Sequence, residues 1–128
     1  MPAYGNFVLD KGFKAAAAIT KFRAVKGTGN DGEVTPVTAV TDVVIGVAQY
    51  SVSAGEITKQ KLASVRMAGI TEMECAGTIQ QGALVCINNA GQAVTSTTGN
   101  RVIGVAQADG ASGTRIPVAI TLGAALAP

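Results

Sequence analysis

An all-β fold, a small barrel or sandwich built from two similar β units, is predicted by three features of this sequence. The first is a repeat: Val44-Ile45-Gly46-Val47-Ala48-Gln49 returns letter for letter 58 residues later as Val102-Ile103-Gly104-Val105-Ala106-Gln107. The second is punctuation, since 16 glycines and many Ser and Thr separate short apolar runs, the pattern of strands and turns. The third is composition: 48% hydrophobic but only 4% aromatic and 14% charged, which leaves Val, Ile, Ala and Leu to build the core. A chain of 128 residues fits one domain and is long enough to bury such a core without staples.

Each copy of the repeat is β-branched, uncharged until its final Gln, and bounded by turn formers. Such a run suits a strand buried on both faces. Gly46 and Gly104 mark points where the strand bends or another group packs close. Val44, Ile45, Val47, Val102, Ile103 and Val105 are therefore expected in two equivalent core strands, and a repeat of this kind organises the whole chain.

Residues 1–18 stand apart as an irregular N-terminal arm. They hold Tyr4, Phe7 and Phe13 among Pro2, Gly5 and Gly12. Aromatics in an irregular terminal segment either dock on their own domain or anchor a neighbour. On the anchoring reading Tyr4, Phe7 and Phe13 contact a partner or an adjacent protomer, and deleting residues 2–14 leaves a folded protein. The alanines at 15–18 suit one helical turn, too short to stand alone.

The first unit, residues 19–68, opens with a strand over 19–26 and a Gly-rich turn at 27–32. Pro36 then makes the 33–40 segment an edge or bulged strand. After the first repeat strand comes a Ser/Gly turn at 51–55. The 56–68 segment admits two readings: Ile57, Lys61 and Leu62 suit a helical turn, but Ala63, Val65 and Met67 alternate with polar Ser64 and Arg66, which favours a strand.

The second unit, residues 69–122, begins with alternating Glu72-Met73-Glu74-Cys75, which puts Met73 and Cys75 inward and both glutamates in water. A strand at 83–87 follows, then Asn88-Asn89-Ala90-Gly91, a strong hairpin turn because Asn and Gly accept positive φ. Residues 92–95 pair back, 97–100 turn, the second repeat strand runs through, and 115–122 closes the unit. Laid over one another, Arg23-Ala24-Val25-Lys26 matches Leu84-Val85-Cys86-Ile87, Gly32 matches Gly91, and Ala63–Ala68 matches Arg115–Ile120. The domain plan is an arm at 1–18 and a duplicated β domain at 19–128.

Ten basic and eight acidic residues give a net charge of +2. No basic face of the nucleic-acid-binding kind is present. No run approaches the roughly 18 apolar residues of a membrane span, and Met-Pro-Ala-Tyr-Gly lacks the features of a secretory leader. Neither nucleic acid nor membrane is expected as a partner. Low charge with a mean hydropathy of +0.35 points instead to a surface covered by a partner or by other copies.

Reactive constellations are missing from the sequence. There is no histidine, hence no imidazole base. Cys75 and Cys86 have no companion ligands for zinc. They read as free packed thiols of a chain made in a reducing cytoplasm, with a disulfide between them left open. Glu72 and Glu74 read as a solvated strand face, and the glycines at 27–32 lack the following Lys-Ser/Thr of a phosphate loop. No catalytic, cofactor or metal residue is assigned, and neither enzyme activity nor a cofactor is expected.

Two other functions stay open. A module binding a host-surface glycan or protein would carry exposed loop aromatics, for which Tyr50 is the candidate. A biotinyl or lipoyl carrier domain, also a small duplicated β barrel, presents a modifiable Lys between apolar residues. Here the nearest match is Val65-Arg66-Met67, with Arg in the place of Lys, while Lys59 and Lys61 lack that setting.

Around the repeat strands the chain resembles the capsid cement, or head decoration, proteins of tailed bacteriophages. The second unit carries the pattern as Ala76-Gly77-Thr78-Ile79-Gln80-Gln81-Gly82-Ala83-Leu84-Val85, then Ala90-Gly91-Gln92-Ala93-Val94, then Arg101-Val102-Ile103-Gly104-Val105-Ala106. The first unit repeats it at 19–25, 32–34 and 44–48. The family often has an acidic residue where Ala83 stands. The resemblance covers roughly residues 15–122. It implies a small β protein on the outer surface of an icosahedral shell, bridging major capsid subunits and often trimeric. It implies neither catalysis nor a cofactor.

Overall fold

The computed structural model describes residues 7–122 and 126–128. The first half contains β1 (Leu9–Ala15), β2 (Ala24–Gly27), β3 (Glu33–Pro36), β4 (Val44–Ala48), α1 (Ala54–Thr58) and β5 (Ala63–Ala68). The second contains β6 (Ile70–Glu74), β7 (Leu84–Ile87), β8 (Ala93–Thr95), β9 (Val102–Ala106) and β10 (Arg115–Ile120). The first five strands close a barrel in the order β1-β3-β2-β4-β5, and the second five form a sheet in the order β6-β10-β9-β7-β8. Going the other way round the barrel, the orders are the same strand for strand, so the duplication is one of topology as well as of sequence. The parallel pairing of Ala15 with Val34 that closes the barrel has its counterpart in a parallel bridge between Cys75 and Ala93.

The repeat begins earlier than the sequence suggests. Strand β1 pairs antiparallel with β5, placing Phe13 opposite Ala63, as β6 pairs with β10, placing Met73 opposite Ile116. Residues 9–15, assigned to the irregular arm, are thus the counterpart of β6, and Phe13 occupies the position of Met73. Gly12 and the alanines that follow hide the strand's alternation, in which Phe13 and Ala15 point inward. The alanines at 16 and 17 bend instead of forming a helical turn.

Both repeat strands form, with a shared irregularity. The register shifts between Val25 and Lys26 opposite β4, and between Val85 and Cys86 opposite β9. A bulge at the same place in each half re-phases the side chains. Val44, Val47 and Ile103 are buried, whereas Ile45, Val102 and Val105 are half-buried, not enclosed on both faces, so equivalent positions differ in burial between the halves. Pairing also shifts the alignment of the halves by one residue. Ala24 lies opposite Val47 as Leu84 lies opposite Val105, so Ala24 corresponds to Leu84. A one-residue slip would turn every side chain to the other face.

Gly46 and Gly104 stand where chains cross closely. A Cβ on Gly46 would lie 2.6 Å from Val65 Cγ1 and against the Arg66 carbonyl; one on Gly104 would lie 2.9 Å from Val118 Cγ1 and against the Ala119 carbonyl. The final Gln of each copy folds back alike, with Gln49 Nε2 donating to the Val47 carbonyl and Gln107 Nε2 to the Val105 carbonyl.

Several boundaries differ from the sequence reading. The 19–26 segment becomes a strand only from Ala24, and Ile19 makes a single bridge to Val52. Pro36 ends β3, which lies between β1 and β2 and is not an edge strand. Residues 54–58, spanning the end of the expected turn and the start of the expected strand, form α1. Ser53 accepts from the Glu56 N–H while the Glu56 carboxylate accepts from the Ser53 N–H. This Ser-x-x-Glu box is a helix-start signal that the neighbouring glycine obscures.

Two apolar clusters fill the interior. One holds Phe13, Ala15, Ile19, Val25, Val34, Ala48, Val52, Ala63 and Val65, all from the first half. The larger joins Ala24, Val37, Val44 and Val47 of the first half to Met73, Cys75, Ile79, Val85, Ile87, Ile103, Ile116 and Val118 of the second.

Candidate interaction surfaces

Of the three residues expected to contact a partner, Tyr4 lies outside the described residues. Phe7 is 92% exposed and opens an apolar run with Val8 and Leu9, which are exposed as well. Phe13 is only 7% exposed and belongs to the barrel core, so its ring is spent on folding. Within β1, only Lys14 and Ala15 at its end pair with strand β3. The stretch from Leu9 to Phe13 therefore has a strand neighbour on one side only, β5, among the described residues. An apolar run feeding a half-open strand edge is suited to strand addition.

Polar contacts stitch the seam between the halves. Arg23 donates through one guanidinium nitrogen to both Glu74 oxygens, at 3.0 and 3.1 Å, and Gln92 Nε2 donates to the same carboxylate at 3.3 Å. Backbone bonds run alongside, from Glu74 N–H to the Phe22 carbonyl and from Ala24 N–H to the Gly91 carbonyl. Farther along, Arg101 donates to the carbonyls of Thr41 and Asp42. The sequence reading placed Glu74 in water. It is half-buried instead, because its partner comes from the other half of the chain, which no local pattern reveals. The Arg23 hydrogen bond holds the Glu74 carboxyl below its ordinary range despite burial. Asp10 is lowered likewise by Arg66. At Asp42 burial pushes upward, but the backbone N–H groups of Thr38 and Ala39, with Lys26, outweigh it.

Beside this seam lies a cleft of about 410 Å³ walled by the rings of Phe22 and Tyr50. Its other walls are Asp10, Gln49, Ser64, Arg66 and Glu72. Arg66 is fixed by two hydrogen bonds to Asp10, at 2.8 and 3.1 Å, and a third to the Ile70 carbonyl. Gln49 is fixed by Thr71 Oγ1 at 2.8 Å. The Phe22 ring lies beneath the Arg115 guanidinium, 4.7 Å from its centroid. Tyr50 is 64% exposed. Sequence reading singled out Tyr50 as the binding candidate here; Asp10 and Arg66 meet through the pairing of β1 with β5, and Glu72 comes from β6 in the other sheet.

No group of three or more His, Cys, Asp or Glu residues gathers among the described residues to hold a metal. Cys75 and Cys86 are buried free thiols, and burial pushes the Cys75 thiol up. Val65-Arg66-Met67 lies within β5, with Arg66 held by Asp10 and not presented at a hairpin tip. Lys59 caps the end of α1, and Lys61 pairs with Glu56 at 2.8 Å.

The fold has relatives among solved phage structures. One is the N-terminal base of head fibre gp8.5 of bacteriophage phi29, with a TM-score of 0.68, 19% identity, and coverage of 90% of this chain and 95% of that one. Another is a chain of the capsid of Myoviridae phage XM1, with a TM-score of 0.65, 16% identity, and coverage of 95% and 88%. No curated protein matches the sequence. The model of the phage cement protein family matches residues 49–122, from the end of the first repeat strand through the whole second half. The chain belongs to the phage cement protein family and has a structural role in the virion.

Proposed function

We propose that this protein binds the outer surface of an icosahedral phage capsid and stabilises the shell by bridging neighbouring major capsid subunits. The observation that carries this reading is the exposed run Phe7-Val8-Leu9 leading into the half-open edge of β1. A capsid strand adding to that edge gains main-chain hydrogen bonds, while Phe7 and Leu9 bury apolar surface. Tyr4 extends the same anchor, and Phe13 supports it from within the barrel. With a net charge of only +2, attachment rests on apolar contact more than on charge.

Three copies around a junction would each need only modest affinity, because engagement at one subunit raises the effective concentration at the next. An interface between copies would bury about 1,200–2,000 Å². The buried free thiols Cys75 and Cys86 suit synthesis in the reducing host cytoplasm.

The test uses empty capsids. Protein lacking residues 2–8 should keep its thermal midpoint yet fail to co-sediment with shells, and bare shells should disassemble at lower temperature than decorated ones. Full occupancy by the truncated protein refutes the anchor, and equal shell stability refutes bridging. Binding should change little between low and moderate salt, since surface charge pairs are what salt screens. Light scattering should give three times the chain mass.

A further inference from the structure

We propose that the cleft beside the seam is a binding site for a neutral saccharide, with Tyr50 as the stacking face and Asp10, Gln49, Arg66 and Glu72 as readers of its hydroxyls. The duplication supplies an internal control for what the scaffold itself requires. Hydrogen bonding and register make Phe22 the counterpart of Gly82, since their N–H groups donate to Ala48 and Ala106 respectively. They make Arg66 the counterpart of Ala119, Asp10 of Ile70, and Ser64 of Pro117. Tyr50 and Ala108 each follow the last Gln of a repeat copy. These five cleft positions carry a small or apolar residue in the second half, which folds into the same topology without them, while Gln49 is kept as Gln107 and belongs to the shared scaffold.

Phe22 strengthens the case. Its φ is +63°, in the left-handed region, where Gly82 sits at +86°. Glycine adopts this conformation freely, while a bulky side chain there is an outlier. Strained residues of this kind cluster at binding sites. Here an aromatic ring is held in the cleft wall at a position whose backbone favours glycine.

The wall chemistry selects the ligand class. A sugar ring has an apolar C–H face and a rim of hydroxyls, which need an aromatic surface and planar groups able to make paired hydrogen bonds. Two rings, two carboxylates, a guanidinium and an amide meet that need. Among the described residues no aliphatic side chain lines the cleft, which disfavours an acyl chain. One cation against two anions disfavours a polyanion. Arg66 and Gln49 are already fixed by neighbours, so little ordering is required on binding. The Glu72 side chain is exposed and enters no hydrogen bond or ion pair among the described residues, which leaves it free to accept from a ligand.

The test is an amide-resolved NMR titration of the full chain with the methyl glycosides of glucose, galactose and N-acetylglucosamine and short oligomers of each. The expected result is saturable shifts at Asp10, Gln49, Tyr50, Ser64, Arg66 and Glu72. Tyr50→Ala and Glu72→Gln, both at exposed positions, should each weaken binding about tenfold or more without changing the thermal midpoint. The proposal is overturned if no probe perturbs these residues at about 20 mM, or if the shifts survive Tyr50→Ala. Shifts with acetyl-arginine amide and none with any sugar also overturn it, by assigning the cleft to a cationic protein segment.

Discussion

Arg23 and Glu74, 51 residues apart and from opposite halves of the duplication, share a forked ion pair at 3.0 and 3.1 Å. Both side chains are roughly a quarter exposed, so solvent screens much of the attraction. Arg23→Met leaves a half-buried carboxylate without its partner and is expected to cost about 1 kcal/mol, a fall of several degrees in the melting midpoint.

The same pair makes stability depend on acid. The Glu74 carboxyl is held below its ordinary 4.5 in the folded protein. A lowered folded value means the contribution is complete above 4.5 and is lost as pH falls through the folded value. Asp10 and Asp42, lowered from 3.8, act in the same direction at somewhat lower pH. Melting midpoints measured between about pH 6 and about pH 3 should fall, and Glu74→Gln should flatten part of that fall. A midpoint rising toward low pH contradicts this account.

Gly46→Ala and Gly104→Ala should each be severe. Each added methyl meets a backbone carbonyl of the neighbouring strand as well as a valine methyl, so no side chain can simply rotate away. A loss of about 3 kcal/mol or more is expected for each, visible as aggregation or a low chemical-denaturation midpoint. The two variants should behave alike, because the two sites are equivalent.

Phe22→Gly should instead be mild. Relief of the left-handed backbone strain, about 1 kcal/mol or more, offsets loss of the ring's contact with Arg115. Denaturation should place the variant within about 1 kcal/mol of the parent. A much larger loss would make Phe22 a structural staple.

Truncation separates arm from barrel. Removal of residues 2–8 should leave the melting midpoint unchanged, whereas removal of 2–14 takes away most of β1, including Phe13. The longer deletion should abolish cooperative unfolding, as read by calorimetry.

Much of this was legible because strand alternation and exact repetition are local signals. The two repeat strands follow from exact repetition, the hairpin turn at Asn88-Asn89-Ala90-Gly91 from residues that accept positive φ, and the inward Met73 from a periodicity of two. What escaped was non-local. Phe13 looks like a loose aromatic until β5 is found beside it, and Glu74 looks solvated until Arg23 arrives from the other half. The bulges at Ile45 and Ile103 interrupt the pairing with β2 and β7, which spacing within a single strand does not register. The cleft was nearly invisible for the same reason: Asp10, Phe22, Tyr50 and Glu72 lie on four separate segments.

The larger apolar cluster draws residues from both halves, and this has a consequence for the chain's unity. Neither half can be solvated alone without exposing its share of that cluster, Ala24, Val37, Val44 and Val47 on one side and residues such as Met73 and Ile116 on the other. The molecule behaves as a tethered dimer of itself, with Gly69 as the tether between β5 and β6. Severed at that glycine, fragments 1–68 and 69–128 should recognise one another and reassemble, losing only the advantage in local concentration that the covalent link confers.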